Sequence, residues 1–479
     1  MAAVSPLTDE DRAAIEAVGG GQSPWRDGWG VSGVITEAPR RDVREATEHA
    51  QKALGKDSAD QGKRARIVQL ASDGDPTATR DLKRLIREVL RRDGYLAVGD
   101  RGDDLIEEIF DYLYGFRELA PLVHDPTVDE IQCNTPESIW LERRGRRERS
   151  SITLRDTDTL TQYLFQRLFG AKSQALTREQ PYLEHVRADG IRLTATTPPR
   201  TAFPTLIIRK HSLQFLEPES WVKAGSVSEA ILDILSAAVR GRISMLFSGP
   251  PGSAKTSLLR LAVGYSDPLM RWVGLATDRE LHLREAYPDR NITEFQVGGR
   301  GELQDLFRGA LRQSPDAVVL EETRNGEEGE IMLQTTRRGH DGSMSTVHVT
   351  RAQDVALEVA KLCLSRQALD PTTLTLKWRE VGEAFPFIVQ MDRDPVGTGR
   401  RMVQEIGQHI LRGPYDPPEY QTVCRWEPDD PLINYGKGEW RWVNDITDAI
   451  RARAVKNGVD LRRFDHLTGM SDRWEGVVP

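Results

Sequence analysis

Residues 243–265 read ISMLFSGPPGSAKTSLLRLAVGY. A short apolar run leads into a Gly-rich segment that ends in Lys255 and Thr256, and leucines at helical spacing follow it. Strand, Gly-rich loop, Lys-Thr pair and helix come in the order that a phosphate-binding loop requires. Such a loop directs backbone N–H groups at a polyphosphate, with a lysine for the β- and γ-phosphates and a hydroxyl for Mg²⁺. This context on both sides disfavours the alternative, a Gly-Pro turn followed by an incidental lysine.

One position departs from the G-x-x-x-x-G-K-[ST] template, because Ala254 stands where glycine is usual. If the backbone there has a positive φ, alanine costs about 1–2 kcal/mol. An ordinary right-handed conformation costs nothing. Both cases are compatible with a bound nucleotide.

A second strand, AVVL at residues 317–320, ends in Glu321 and Glu322. In phosphate-binding-loop enzymes a buried strand beside the loop presents a carboxylate to Mg²⁺ and the attacking water. Successive strand residues point to opposite faces, so only one of the two glutamates can face the nucleotide. The alternative is an ordinary strand with a solvated acidic end, which the loop upstream disfavours.

Two histidines, His340 and His348, lie in the Gly-bounded segment 339–348. A zinc site is disfavoured because no further ligands stand at metal spacing. Two structural histidines are one interpretation of this segment. The run ERRGRRERS at residues 142–150 predicts a solvated hairpin rather than a nucleic-acid site.

Composition bounds the class of protein. The 479 residues predict about three domains, and 38% hydrophobic residues exclude wholesale disorder. The net charge of −8 offers no general attraction to nucleic acid. Three scattered cysteines argue against a disulfide framework and favour a reducing cytoplasm. No secretory signal or membrane-spanning apolar run is recognisable.

The pattern along the chain predicts an α/β protein of six segments. They are a mobile arm (1–60), a helical front segment (61–120), an α+β domain with an antiparallel sheet (121–216), a linker (217–228), an α/β domain with a mainly parallel sheet (229–412) and a C-terminal appendage (413–479).

Several stretches occur in an order that resembles a known family. They are residues 115–145, 187–199 (RADGIRLTATTPP), 205–210 (TLIIRK), 311–328 (LRQSPDAVVLEETRNGEE), 339–348 (GHDGSMSTVH) and 399–406 (GRRMVQEI). With the loop they resemble the secretion and pilus ATPase superfamily of type II and type IV systems. The closest likeness is to the branch serving tight-adherence pili and conjugation-type secretion. The resemblance covers about residues 114–408.

The resemblance implies a RecA-like P-loop domain that binds ATP and Mg²⁺ between two lobes. The nucleotide-binding residues it implies are Gly249, Pro250, Pro251, Gly252, Ser253, Ala254, Lys255, Thr256 and Ser257. It assigns Mg²⁺ to Thr256, with Glu321 as a second candidate ligand, and the hydrolytic water to Glu322. Further implied positions are Glu280 in an acidic box, Arg192 and Arg209 reaching the phosphates, and Arg324, His340 and His348 sensing them.

The resemblance also implies a hexameric ring at the inner face of the cell membrane, on a secretion or pilus platform. The predicted function is an ATP-hydrolysing motor. However, the acidic box reads ATDRE at 276–280, so Ala276 and Thr277 replace two acids of the family pattern, and Asp278 is a candidate substitute. In addition, Glu321 replaces the usual Gly before the catalytic Glu, and Arg338 replaces the usual Thr before the Gly-His pair. These departures leave open a nucleotide-gated scaffold with little turnover. A RecA-like DNA motor is a further alternative, which the net charge disfavours.

Overall fold

In the computed structural model the described residues are 41–56, 61–96, 102–143, 145–169, 176–210, 217–276, 280–296, 302–365, 370–394, 397–460 and 467–475. The chain divides into two compact units, residues 1–212 and 213–479. The first 40 residues of the predicted arm lie outside the described residues. Within the described part, no helix is both long enough and apolar enough to cross a bilayer.

The first unit begins with four helices packed on one apolar core. They are α1 (Arg41–Lys56), α2 (Gln61–Ser72), α3 (Pro76–Arg92) and α4 (Asp103–Tyr114). Helix α3 starts sharply because Asp75 caps the N–H of Ala78 at 2.7 Å and Pro76 occupies the first helical position. Helix α1 falls inside the predicted arm, yet its Ala46 and Ala50 are fully buried in this core.

A six-stranded antiparallel sheet completes the first unit, as the alternating runs predict. Its order is β3-β2-β1-β6-β5-β4. The strands are β1 (Val128–Thr135), β2 (Ser138–Arg143), β3 (Arg146–Arg149), β4 (Tyr182–Val186), β5 (Arg192–Thr196) and β6 (Thr205–Arg209), with short helices α5 (Ala120–His124) and α6 (Gln166–Phe169) and a π-helical stretch at Thr159–Phe165. All four β3 side chains are exposed, so the Arg-rich run forms a solvated hairpin.

The helical front segment and the sheet belong to the same unit, although the sequence pattern separates them. Arg187 donates to the carbonyl of Ser72 at 2.7 Å, and the N–H of Ala188 donates to Asp73 O at 2.8 Å. His185 also hydrogen-bonds the Asp73 carboxylate. These contacts join the end of α2 to the β4–β5 turn, at a sequence separation that local patterns cannot predict.

The second unit is built on one ten-stranded sheet with the order β16-β15-β14-β13-β12-β7-β11-β10-β8-β9. Six strands pair in parallel: β7 (Met245–Ser248), β8 (Trp272–Ala276), β9 (Ile292–Gln296), β10 (Ala317–Thr323), β11 (Met344–Val347) and β12 (Phe387–Arg393). Four antiparallel strands extend it: β13 (Arg401–Ile410), β14 (Glu419–Pro428), β15 (Gly438–Trp442) and β16 (Ser471–Trp474).

Helices cover both faces of this sheet. Met245 and Phe247 of β7 pack into one apolar cluster and Leu246 into the other, as the alternation of strand side chains requires. The helices are α7 (Pro218–Lys223), α8 (Glu229–Arg240), α9 (Lys255–Gly264), α10 (Leu283–Ala286), α11 (Leu303–Leu311), α12 (Gly326–Arg337), α13 (Val355–Cys363), α14 (Pro371–Ala384) and α15 (Asp448–Lys456).

Two segments that the sequence pattern sets apart are parts of this core. Trp221 of the predicted linker is 3% exposed, and the strands of the predicted appendage continue the central sheet. Buried Arg400 joins the two: its guanidinium donates to the carbonyl of Gly225 at 2.6 and 3.0 Å and stacks on the rings of Trp474 and Trp426. Burial lowers the pKa of Arg400 to about 9.

We expect His409 in β13 to make the second unit sensitive to acid. It is buried and donates Nδ1–H to the carbonyl of Phe385 at 2.9 Å, whereas Nε2 has no partner among the described residues. Burial lowers the pKa of His409 to about 4. The unfolded chain therefore takes up the proton first as the pH falls below about 6.5, and stability is lost progressively down to about pH 4.

The loss between pH 7 and pH 5 should be about 2 kcal/mol of unfolding free energy. Urea unfolding at both pH values measures it, and the His409→Gln variant should show a correspondingly smaller pH dependence. The control His340→Gln alters a half-buried histidine that also hydrogen-bonds a carbonyl, and it should keep the wild-type dependence. Equal pH dependence in wild type and His409→Gln would contradict the assignment.

Candidate nucleotide-binding and hydrolysis site

The loop between β7 and α9 adopts a backbone that its glycines permit. Gly249 and Gly252 have φ of 144° and 72°. A Cβ on Gly249 would lie 2.3 Å from the carbonyl oxygen of Met391, and one on Gly252 would lie 2.5 Å from Nη1 of Arg393. Buried Ser253 donates its hydroxyl to Pro250 O at 2.8 Å and closes the turn. The loop is therefore a tight turn against the end of β12.

Lys255 is the first residue of α9 and is 6% exposed. Its Nζ donates to the carbonyls of Gly249 (3.0 Å) and Pro250 (2.9 Å). Thr256 and Ser257 follow in the first turn of the helix, both half-buried. The amine thus lies inside the turn, beside the first-turn N–H groups that attract anions.

Ala254 caps α9 in the left-handed conformation, with φ 69° and ψ 27°. This is the costly one of the two alternatives that the sequence leaves open. The usual glycine would adopt the same backbone without the clash of Cβ with the following carbonyl.

The Ala254→Gly variant should therefore be more stable than the wild type. Removal of the backbone strain stabilises the folded state by about 1–2 kcal/mol. The larger conformational entropy of glycine in the unfolded chain offsets about 0.4–1 kcal/mol of this, which leaves a gain of about 1 kcal/mol in unfolding free energy. Urea unfolding measures it. In the same unit, Ala452→Gly changes an exposed residue of α15 and should instead lose about 1 kcal/mol. A loss in both variants would contradict the strain at Ala254.

A β-bulge positions the acidic end of β10. Leu320 pairs with Ser345 and Thr323 with Val347, so β10 has one more residue than β11 across this stretch. The extra residue falls at Glu321–Glu322, and a bulge changes the direction in which the side chains of these residues point. The two carboxylates consequently have different partners.

Glu322 is 9% exposed and accepts two hydrogen bonds. Oε1 lies 2.9 Å from Nε2 of His348, and Oε2 accepts from Nη2 of Arg324 at 2.8 Å. Burial alone would raise the pKa of Glu322, but the hydrogen bonds and charges of His348 and Arg324 outweigh it and lower the pKa to about 2. The carboxylate is therefore ionised throughout the neutral range.

One imidazole joins this carboxylate to the loop lysine. His348 follows β11, and its Nδ1 lies 3.2 Å from Lys255 Nζ while its Nε2 contacts Glu322. The same Nδ1 lies 3.2 Å from the carbonyl oxygen of Gly249, so the ring contacts the loop backbone as well as its lysine. The His348 side chain is 40% exposed, so the ring can move without opening the core.

The Glu321 carboxylate contacts the chain beyond the end of β8. Its Oε1 accepts from the N–H of Glu280 at 3.3 Å, and Arg260 holds the same segment by donating to the carbonyls of Glu280 (2.5 Å) and Leu281 (2.7 Å). The structure therefore brings Glu322, and not Glu321, to Lys255. Thr277 and Asp278 of the altered acidic box lie outside the described residues.

A capping box after β10 holds Arg324 in place, and the sequence analysis did not identify it. The side chain of Asn325 accepts from the N–H of Glu328 at 3.1 Å, and Glu328 accepts from the N–H groups of Arg324 (2.5 Å) and Asn325 (3.0 Å). Asn and Glu three residues apart at a helix start are the signal that could have revealed it.

The remaining predicted residues lie elsewhere. His340 precedes β11 and hydrogen-bonds the carbonyl of Pro315, which precedes β10. It therefore stands at the opposite end of the strands from His348, and this placement does not support a phosphate-sensing role for it. Arg192 and Arg209 form a cross-strand pair on β5 and β6 in the first unit.

The residues around the loop fit a magnesium nucleotide. The Lys255 amine and the first-turn N–H groups of α9 suit phosphate oxygens. The Thr256 hydroxyl and the Glu322 carboxylate are hard oxygen ligands of the kind that Mg²⁺ prefers, directly or through water.

Comparisons with known proteins place this geometry in context. A family model described as "Type II/IV secretion system protein" matches residues 114–377. A candidate conjugal transfer protein of Mycobacterium tuberculosis is 27% identical over 331 residues, covering 66% of this chain and 90% of that protein. The type IV secretion system protein PtlH of Bordetella pertussis is 26% identical over 324 residues, covering 61% and 94%. The crystal structure of the VirB11 ATPase of Brucella suis is similar at 20% identity and TM-score 0.34, covering 61% of this chain and 92% of that one.

Proposed function

The chain belongs to the family of type II/IV secretion system proteins, and on this premise we propose that it hydrolyses ATP to power a type IV secretion, pilus-assembly or conjugative transfer machine. The observation that carries the proposal is the contact of a single imidazole, His348, with both Lys255 and Glu322. A phosphate-binding lysine and an ionised carboxylate at this spacing are what hydrolysis of a bound triphosphate needs.

The loop residues 249–257 hold the triphosphate in this proposal. Lys255 leaves the carbonyls of Gly249 and Pro250 and neutralises the charge that develops on the β- and γ-oxygens. The Thr256 hydroxyl would hold Mg²⁺, which would supply positive charge to offset the charge of the phosphate oxygens. Glu322 orients the attacking water and accepts its proton, and Arg324 keeps the carboxylate aimed.

We further propose a ring of six subunits at the cytoplasmic face of the inner membrane, in contact with platform proteins. Similarity to the secretion and pilus ATPases supports it. On the same similarity we propose that Arg192 and Arg209, a cross-strand pair on β5 and β6, bind the nucleotide phosphates.

A nucleotide-gated scaffold is the second candidate function. Ala276, which replaces an acid of the family's acidic box, is fully buried at the end of β8 and cannot hold a cation. Measuring ATP binding and turnover in parallel, for the wild type and for Glu322→Gln, separates the two functions. Bound ATP with equal background rates in both proteins would favour the scaffold over the motor.

A further inference from the structure

Helix α3 has four arginines on one side, Arg80, Arg84, Arg87 and Arg91. They are spaced four, three and four residues apart, so at about 100° per residue they fall within a sector of about 60°. The row extends about 17 Å along the helix axis. The buried residues of α3 lie on the opposite side: Ala78, Leu82, Ile86 and Leu90. We call this row the arginine stripe.

The arginine stripe faces solvent. Arg80 and Arg91 are exposed, and the side chain of Arg84 is 64% exposed. Helices α1, α2 and α4 all contact α3, and they cover its apolar side.

Acidic neighbours only partly neutralise the stripe. Arg87 pairs with Asp103 at 2.6 Å, and Arg84 lies 3.3 Å from Asp81 and 4.0 Å from Glu88. Such exposed pairs are weak and exchange readily for other partners. Among the residues that the structure describes, Arg80 forms no ion pair.

The charge of α3 opposes that of the whole protein. Its 17 residues contain six Arg and Lys and two Asp and Glu, a net charge of +4, whereas the chain carries −8. At physiological salt, charges beyond about 8 Å are largely screened, so a surface that approaches the stripe meets its four arginines together with the adjacent Asp81, Glu88 and Asp103.

We propose that the arginine stripe binds the surface of a bilayer rich in anionic phospholipid. Guanidinium groups match phosphate oxygens with paired hydrogen bonds, and a row of four, of which Arg80, Arg84 and Arg91 are exposed, suits a planar array of headgroups. Nucleic acid fits less well, because the stripe has no aromatic side chain to stack on bases and no amide to read their edges. This inference goes beyond the proposed function and does not depend on ATP hydrolysis.

The test measures co-sedimentation of the full chain with vesicles. Vesicles of phosphatidylglycerol and phosphatidylcholine should bind the wild type, and vesicles of phosphatidylcholine alone should not. The triple variant Arg80→Gln, Arg84→Gln, Arg91→Gln should bind about 100-fold more weakly, at about fivefold per charge. Replacing the same three arginines by lysine should retain most of the binding, since the charge is kept.

The matched control is Arg155→Gln, Arg308→Gln, Arg412→Gln. These side chains are 88%, 67% and 66% exposed and change the net charge by the same amount. The control should bind vesicles like the wild type, and thermal unfolding of both triple variants checks that the fold is intact.

Four outcomes would overturn the proposal. They are unchanged binding by the stripe variant, an equal loss in the control, equal binding of the wild type to neutral vesicles, and stripe-dependent binding of duplex DNA without vesicle binding. Because the assay needs no nucleotide, its failure is distinct from a failure of the proposed ATPase function.

Discussion

Replacing Lys255 by methionine should strongly weaken ATP binding and abolish turnover. Methionine keeps the length and apolar stem of the buried side chain but removes the ammonium group that contacts the loop carbonyls. Charge-assisted hydrogen bonds to phosphate contribute about 1.5–3 kcal/mol each. Losing two should weaken ATP binding by at least about 100-fold, which equilibrium titration with a fluorescent ATP analogue measures, and turnover should fall to the background rate.

Lys377→Met is the matched control for this variant. Lys377 in α14 is also poorly exposed, at 16% of its side chain, and forms ion pairs of 2.7 and 2.9 Å with Glu330 and Glu380. Its loss should lower the unfolding free energy but leave ATP affinity unchanged. Normal turnover in Lys255→Met, or an equal loss of affinity in Lys377→Met, would exclude the loop as the nucleotide site.

The loop and the acidic strand could be predicted because their signals are local. An apolar strand, glycines where φ is positive and a helix with leucines at regular spacing all occur within 23 residues. Likewise, AVVLEE places a carboxylate at the end of a buried strand without reference to the rest of the chain. The six parallel strands follow from the same alternation of apolar runs and helical patterns.

Tertiary contacts decide the features that could not be predicted. The roles of His340 and His348 could not be separated from the sequence, because their partners, Pro315 and Lys255, come from other parts of the chain. Similarly, the C-terminal strands look separate because a Pro-rich stretch precedes them. They join the core through tryptophans that pack around Arg400, which lies up to 74 residues away along the chain.

Replacing Glu322 by glutamine should reduce ATP turnover by about 100- to 10,000-fold and leave ATP binding within about twofold of the wild type. Glutamine keeps the shape and still accepts from His348, but it cannot take a proton from water at neutral pH. Because the pKa of Glu322 is lowered to about 2, the wild-type carboxylate is ionised at neutral and mildly acidic pH. An acid-side loss of turnover near pH 6 must therefore come from another group.

The adjacent Glu321→Gln variant is the sharpest control for this prediction. Glu321 is also buried, at 2% exposure, and one residue away, but its carboxylate accepts from the N–H of Glu280, which lies beyond the end of β8. If Glu322 orients the water, turnover in Glu321→Gln should stay within a few-fold of the wild type. Equal and large losses in both variants would point to a role for the acidic strand end in Mg²⁺ binding. No loss in either, with ATP still bound, would mean that this chain uses nucleotide for assembly and does not hydrolyse it.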